Sequence, residues 1–299
     1  MSSPVLARGS QGRLQLVGRL LSGVRHEPGL VIPCLILFLA AMTALLAPVI
    51  SPYSPTEGSL LKSLQPPVWQ DGGSMDHILG TDFQGRDVLS RLIHGSRVSL
   101  AVAAVSIFVA GFMGLVLGLM AGYFGKAVDA LIMRIADMFF ALPMILFGLL
   151  FAMTLGPSFR NVIIVIVLTI WGRFARQVRG EVLSVRERDF VALARVAGAS
   201  NRRILITHIL PNVANSVIVL ATWQVGLVIL MEASLSFLGV GIPPPTPSWG
   251  SMVADGRLWI ASAWWVSVIP GLAILVTILA MNMVGDWLRD YLDPRLRQL

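Results

Sequence analysis

Two acidic side chains stand within long apolar stretches of this sequence, where an ionised group is costly unless it has a partner or a task. Asp137 follows Arg134 by three residues, a spacing that allows an ion pair within one helix, so we expect it to be structural. Glu232 comes after Trp223 and Gln224 in another apolar stretch. Two roles stay open for Glu232. It attracts a cationic group that crosses the membrane, or it braces the proline-rich segment that follows it.

The sequence lacks the motifs on which common enzyme and metal sites depend. There is no G-x-x-x-x-G-K-[ST] phosphate loop, since Lys62 and Lys126 are its only lysines and Lys126 precedes Ala127. It has no H-E-x-x-H or G-x-S-x-G pattern, and Cys34 alone cannot form a cysteine metal site. The four histidines show no ligand pair at helical spacing: His26, His77, His94 and His208. We therefore expect no catalytic residue and no metal, and a membrane enzyme is a distant alternative.

Composition indicates the class of protein. Of the 299 residues, 56% are hydrophobic and 13% are charged, whereas a soluble domain has about 25% charged residues. The mean hydropathy is +0.78, which excludes a disordered chain and predicts a helical protein that crosses the membrane several times. The net charge of +7 would fit nucleic acid binding, but the positions of the basic residues explain it better.

Six stretches are apolar enough to predict membrane-spanning helices. They lie near residues 30–50, 98–122, 131–154, 160–178, 213–236 and 266–285. An even number of spans puts both termini on one side, and placing them in the cytoplasm puts seventeen of the 23 basic residues inside. This bias follows the positive-inside rule and accounts for the charge without nucleic acid. The first stretch follows nearly thirty mostly polar residues, so we expect a retained helix rather than a signal peptide.

A charged block precedes the second predicted span, after a loop rich in turn-forming residues. The block contains Asp82, Arg86, Asp87 and Arg91, and the last two are spaced for an ion pair if that stretch is helical. The whole loop at 51–97 lies outside in this topology, with little regular structure expected before residue 98. We expect the four charges to form a collar that contacts another protein, and a solvated helix start is the alternative.

Small residues recur every fourth position in the second span, at Gly114, Gly118 and Gly122. Such a stripe allows two helices to approach closely. It predicts a packing surface rather than a substrate site.

The longest inner loop of this topology, near 179–212, has the pattern of a short amphipathic helix. Asp189 is placed to cap a helix that begins at Phe190, and Gly198 then allows a break. The apolar face would consist of Phe190, Val191, Leu193, Ala194 and Ala197. A second helical run, 201–210, is expected to end at Pro211. Such a helix suits docking into a groove on a cytoplasmic partner or lying on lipid headgroups, and the local sequence favours neither.

This loop resembles the EAA loop of ABC importer permease subunits. Four residues fall in register with that family's second alanine, glycine and final leucine-proline pair: Ala194, Gly198, Leu210 and Pro211. Three positions depart from the family's glutamate, first alanine and isoleucine: Ala192, Leu193 and His208. If Asp189 caps the helix, residue 192 is the third helical position, where a glutamate would complete a capping box that this chain lacks.

Three further blocks resemble the permeases of dipeptide and oligopeptide importers. They lie at 79–100 before the second span, at 236–250 after the fifth and at 285–294 after the sixth. Their most specific parts read GRDVLSR, SFLGVG with PSWG, and GDWLRD. The resemblance covers nearly the whole chain after residue 28 and is closest to the C-type permease subunit of the dipeptide branch.

The resemblance implies an all-α type I ABC importer permease with six transmembrane helices, cytoplasmic termini and a place in the cytoplasmic membrane of a bacterium or archaeon. Tails at 1–29 and 287–299 would flank a first helix with its external loop at 30–96 and a five-helix core at 97–286. The core would contain a coupling loop at 189–211. This layout makes the chain one half of a translocation path.

The resemblance also implies partners. A homologous permease would complete the path, two cytoplasmic ATPase subunits would bind ATP and Mg and engage the coupling loops, and an external substrate-binding protein would deliver dipeptides or short peptides. This chain would hold no cofactor of its own. Trp223, Gln224 and Glu232 would line the path, and the charged collar would contact the binding protein or the partner permease. Similar machinery imports nickel chelates, glutathione, haem or longer peptides, so the cargo stays open. A stand-alone secondary transporter is disfavoured, because no convincing internal repeat is visible.

Overall fold

The computed structural model describes residues 28–292, so most of the two predicted tails lies outside the described residues. Nine helices form within that range: α1 Val31–Ile50, α2 Val88–Phe124, α3 Lys126–Ala141, α4 Met144–Leu155, α5 Phe159–Val185, α6 Asp189–Val196, α7 Asn201–Phe237, α8 Trp249–Gly256 and α9 Trp265–Leu292. Three single turns of 3-10 helix add to them, at Pro28–Leu30, Leu60–Lys62 and Arg257–Trp259.

Five of these helices, α1, α2, α5, α7 and α9, are long and apolar enough to cross a membrane. The pair α3 and α4 makes a sixth span if its two bent halves are counted together. The predicted all-α membrane fold is confirmed. The cytoplasmic position of the termini stays a prediction.

The second span begins ten residues earlier than predicted, at Val88 instead of residue 98. Asp87 caps it, because its carboxylate accepts hydrogen bonds from the Ser90 backbone N–H at 2.8 Å and the Ser90 hydroxyl at 2.7 Å. With 37 residues, α2 is about 55 Å long, nearly twice the roughly 30 Å of bilayer hydrocarbon. The helix therefore extends well beyond the membrane.

The third span is not the single helix that we predicted over 131–154. It breaks at Leu142 and Pro143, and α3 and α4 meet there at an angle of 83°. Pro143 cannot donate a backbone hydrogen bond, and its ring forces Leu142 into an extended conformation with φ −99° and ψ 129°. Pro143 was visible in the sequence, but an average hydropathy over the whole stretch does not detect a break at a single proline.

The core of the fold is the contact between α2 and α5, and the glycine stripe lies in it as predicted. A Cβ atom added at Gly118 would lie 2.6 Å from the carbonyl oxygen of Ala175. One added at Gly122 would lie 2.7 Å from the Cβ of Val182, and one at Gly114 would collide with Phe174. The missing side chains thus let the two backbones approach each other closely.

The fifth span also differs from the prediction, because the helix that was expected to end at Pro211 continues through it. Residues Ile204–Ile209 form a π-helical turn, in which the Leu210 N–H donates to the Leu205 carbonyl instead of the residue four back. This wider turn lies just before the proline, whose ring and missing N–H a regular α-helix would not accommodate. Asn212 Nδ2 donates to the His208 carbonyl at 2.6 Å. The result is one helix from the inner loop to the opposite membrane face.

Candidate functional site

The predicted coupling segment folds as the short helix α6, and it exposes one apolar side. Phe190 is 38% exposed, Leu193 68% and Val196 87%. Their spacing of three residues puts them along one edge of the helix. Ala192 and Ala197 are also exposed. These three side chains give α6 an open apolar edge, which could contact another protein.

The start of α6 differs from the prediction. Arg188 is the capping residue and makes no side-chain capping bond, while Asp189 is already the first helical residue. Asp189 therefore lies in the first turn, where its negative charge interacts favourably with the positive end of the helix dipole. Ala192 becomes the fourth helical residue instead of the third, so the chain loses no capping box through its alanine.

Gly198 ends α6 as predicted. Its φ is +75°, and its N–H donates to the Arg195 carbonyl at 3.0 Å while the N–H of Ala199 donates to the Ala194 carbonyl at 3.0 Å. These two bonds form a Schellman motif, which needs a left-handed residue at the position of Gly198. The glycine thus reverses the chain without strain and directs it towards α7.

The buried side of α6 is fixed to the inner ends of two spans. A separate apolar cluster joins α5, α6 and α7 through fully or almost fully buried side chains: Val178, Val182, Val185, Val191, Ile204, Ile209 and Val213. Leu210 packs on this cluster, whereas Pro211 is exposed. Tyr123 at the end of α2 donates to Asn201 Oδ1 at 2.8 Å. The buried side of α6 is therefore packed on α5 and α7, and α2 is linked to the start of α7 by this hydrogen bond.

Glu232 is fully buried and serves as a brace within the chain. Its carboxylate accepts from the Ser99 hydroxyl at 3.0 Å and the Ser236 hydroxyl at 2.8 Å. Ser99 in turn accepts the Trp249 backbone N–H at 3.2 Å. These bonds connect α2, α7 and the first residue of α8, which follows the proline-rich segment. Of the two roles left open by the sequence, this arrangement favours the brace.

The structure does not bring Trp223, Gln224 and Glu232 together on one open wall. Trp223 is 49% exposed and its ring packs close to Gly285 of α9, whereas Gln224 is 5% exposed. Neighbours on a helix point about 100° apart, so the two cannot share one face. The amide nitrogen of Gln224 is buried and has no hydrogen-bond partner among the described residues. Their place on a translocation path stays a prediction.

The four charges of the predicted collar are buried, which corrects the expectation that they face another protein. Asp82 is 0% exposed, Arg86 5% and Arg91 3%. Asp82 accepts from Arg86 Nε at 2.7 Å and from Arg91, while Asp255 of α8 accepts from Arg91 Nη2 at 2.9 Å. Burial, followed by repulsion from Arg91, lowers the pKa of the Arg86 guanidinium, and the two carboxylates oppose this. The cluster pins the outer loop to α8.

Asp87 does not pair with Arg91, as the spacing had suggested. It caps α2, and its other oxygen lies 3.0 Å from Nδ1 of His77, which is 6% exposed. The capping role explains the difference, because a residue at the helix start uses its carboxylate on the first turn. His77 and Asp255 were missed in the sequence, where both occur in loop-like surroundings without any spacing signal.

The helices α3 and α5 are held together by two ion pairs that the sequence did not predict. Asp137 pairs with Arg176, across to α5, and not with Arg134 on its own helix. Asp129 accepts from Arg179 Nη2 at 2.6 Å. The structural role expected for Asp137 stands, but its partner is 39 residues away in the sequence. Both pairs are partly open to solvent and hold the broken span against its neighbour.

Comparison with known proteins places these features in a family. Residues 114–298 match the model for the binding-protein-dependent transport system inner membrane component. The chain is 46% identical over 270 residues to the dipeptide transport system permease protein DppC of Escherichia coli K12, covering 90% of this chain and 89% of that protein. It is 42% identical over 272 residues to the di/tripeptide transport system permease protein DppC of Pseudomonas aeruginosa, covering 91% and 90%.

Solved structures show the same fold at low sequence identity. A chain of the MetNI methionine ABC transporter in an inward-facing conformation superimposes with a TM-score of 0.56 and 18% identity, covering 66% of this chain and 94% of that one. A chain of an amino acid ABC transporter gives a TM-score of 0.52 and 14% identity, covering 71% and 95%. The matched architecture is that of ABC importer permeases.

Proposed function

This chain belongs to the binding-protein-dependent transport system inner membrane components, and we propose that it imports dipeptides or other short peptides together with a homologous permease. Its function is that of a permease subunit of an ABC importer in the bacterial inner membrane. The named activity of the relatives, dipeptide transport, supports this cargo. The charged side chains of the Asp82 cluster and of Glu232 are buried and paired within the chain. This supports a structural role for them in a translocation subunit rather than a role in catalysis.

The proposed complex contains two cytoplasmic ATPase subunits, which bind ATP and Mg, and an external binding protein. The observation that carries the coupling role is the exposed apolar edge of α6, formed by Phe190, Leu193 and Val196 on a rigidly anchored helix. An amphipathic helix of this kind fits an apolar groove on a partner. Closure of the ATPase subunits on ATP would move α6, and with it α5 and α7.

The mechanism rests on stiffness at the inner face and a hinge at the broken span. Since α6 packs on α5 and α7, its movement would rotate those spans as one body. The bend of 83° between α3 and α4 would absorb the change, because the ion pairs of Asp129 and Asp137 keep α3 with α5. Alternation between inward-open and outward-open states would follow.

The test replaces Leu193 with Asp in the assembled complex. A carboxylate on the apolar edge would not enter a groove without a partner for its charge, so we expect loss of peptide-stimulated ATP hydrolysis with membrane insertion intact. Gly198→Asp should act in the same direction, because it places a carboxylate beside the apolar edge and strains the residue with φ +75° that ends α6. Hydrolysis is measured in vesicles with and without peptide and binding protein.

Ser184→Asp is the matched control. It adds the same charge at an exposed position on α5, five residues before α6, and stimulation should persist. Unchanged stimulation in Leu193→Asp would remove the coupling role from α6. Uptake of labelled dipeptides, longer peptides, glutathione and haem by cells with and without this subunit would decide the cargo.

A further inference from the structure

An apolar groove lies at the inner end of α2, on the side of the helix away from the α5 contact. The groove has a volume of about 280 Å³. Its walls come from the last turns of α2 and from the start of α7: Val116, Met120, Phe124, Arg202, Leu205 and Ile206. Met120 is 39% exposed, Phe124 47% and Ile206 52%, so the groove is open at the surface of the chain.

Arg202 is the charged residue of this groove. Within residues 28–292 its guanidinium forms no ion pair and no hydrogen bond, unlike those of Arg176 and Arg179, which are paired with carboxylates. A guanidinium binds phosphate oxygens in a fork geometry. An unpaired arginine beside an open apolar groove therefore offers one contact for a phosphate and another for a hydrocarbon chain.

The position of the groove restricts what can fill it. Phe124 ends a membrane-spanning helix, and by the basic-residue bias that end lies at the cytoplasmic boundary. Hydrocarbon and headgroups meet at this depth, and the inner leaflet carries anionic lipids that attract basic side chains. A water-soluble ligand would leave the apolar walls uncovered, whereas a phospholipid at this depth covers them with an acyl chain and presents a phosphate to the guanidinium. A protein partner would fill the groove only with an apolar surface that carries a carboxylate opposite Arg202.

We propose that this groove binds an anionic phospholipid of the inner leaflet, with an acyl chain along α2 and the phosphate on Arg202. The site lies beside the hydrogen bond from Tyr123 to Asn201 and next to the π turn that leads into α7. A lipid there contacts both α2 and the segment that follows α6. The lipid composition of the inner leaflet would therefore affect the start of α7, which follows the helix α6 that the proposed ATPase subunits move.

The test uses the full chain, purified with its companion subunits and placed in phosphatidylcholine vesicles that contain a small fraction of phosphatidylglycerol with a photoactivatable acyl chain. We expect cross-linked peptides to concentrate at 116–124 and 205–206. Arg202→Gln should lower this labelling about five-fold, the effect of one basic residue near an anionic membrane surface. Arg203→Gln is the matched control, because it removes the same charge from the next residue, which does not line the groove; its labelling should change less than about two-fold.

Four outcomes would overturn the proposal. Labelling spread evenly over all lipid-facing helices would mean ordinary membrane contact, and equal labelling by a phosphatidylcholine probe would remove the role of the charge. Competition by inorganic phosphate alone would mean that the acyl chain contributes nothing. Absence of labelling in the groove would indicate that another subunit covers it. Labelling requires neither ATP nor cargo, so its failure and the failure of the transport proposal are separate results.

Discussion

Glu232 is the residue whose environment changes most between sequence and structure. A carboxylate near the end of a span suggested a contact for the terminal ammonium of a peptide. In the fold it is closed off from the surface and accepts from two serine hydroxyls on different helices. Its hydrogen bonds connect α2, α7 and the start of α8. We therefore expect Glu232 to fix the position of the proline-rich segment between α7 and α8.

Glu232→Gln should therefore destabilise the protein by about 0.5–2 kcal/mol, the range for buried hydrogen bonds within membranes and in soluble proteins. Ser99→Ala should cost a similar amount, and the double variant should cost less than the two together because they share one bond. Thermal unfolding of the purified complex measures all three. Glu187→Gln, at an acidic side chain that is 74% exposed, is the control and should change little.

The opposite pattern would support a transport role for Glu232. In that case Glu232→Gln would leave unfolding unchanged and would lower the uptake of a free dipeptide more than that of its N-acetylated form. The two readouts separate a brace from a cation contact, since only the second depends on the charge of the cargo.

The charged residues illustrate what a sequence can and cannot indicate about a site. The cost of burying Asp82, Arg86 and Arg91 is offset by their mutual pairing, by Asp255 and by two backbone N–H groups that donate to Asp82. Asp255 is 164 residues away from Arg91 in the sequence, so no local spacing could predict it. Local rules found the capping position of Asp87 only as a possible ion pair, because a cap and a pair place the same residue types at the same short distance.

At the scale of helices, the glycine stripe gives the sharpest prediction. Gly118→Ala should destabilise the chain by about 1–3 kcal/mol, the usual cost of overpacking, because the added methyl group would lie 2.6 Å from the Ala175 carbonyl oxygen and 2.7 Å from the Cβ of Val178. Gly180→Ala, on α5, is the matched control. No atom lies within 4 Å of its added methyl group, and alanine in a helix should stabilise by roughly 0.5–1 kcal/mol. Unfolding temperatures that fall for both variants would contradict a specific contact at Gly118.

Hydropathy predicted the approximate places of the membrane spans, because burial in lipid imposes a length and a composition that a window average detects. The prediction was wrong at two prolines, in opposite directions. Pro143 breaks a span that hydropathy treats as continuous, while Pro211 lies inside a helix that proline rules would end. The π turn at Ile204–Ile209 accommodates Pro211 in the second case. The sequence contains the proline, but it does not show that the two flanking isoleucines are buried in the cluster beneath α6 and so hold the helix on both sides of it.

Within residues 28–292, side-chain clusters hold the helices together at two ends of the molecule, which the predicted topology places outside and inside the membrane. At the first end, the Asp82 cluster and Glu232 attach α8 and the loop before α2 to α2 and α7. At the second end, the Val191 cluster attaches α6 to α5 and α7. Because α7 takes part in both, a displacement of α6 in the proposed complex would reach Glu232 through one helix of 37 residues. In that proposal the open apolar edge of α6 is the point at which the chain depends on other subunits.

This dependence gives a prediction for the isolated chain. The sequence has no phosphate loop, so the chain alone in lipid vesicles should neither hydrolyse ATP nor take up labelled dipeptide, with or without an ion gradient. Addition of the homologous permease, the ATPase subunits and the binding protein should restore hydrolysis that rises with peptide, and Leu193→Asp should abolish that rise. Uptake by the chain alone under an ion gradient would identify a secondary transporter instead. If hydrolysis is restored but peptide does not stimulate it, α6 docks the ATPase subunits without coupling them to the cargo. Docking needs only the apolar edge of α6, whereas coupling also needs the movement to pass along α7.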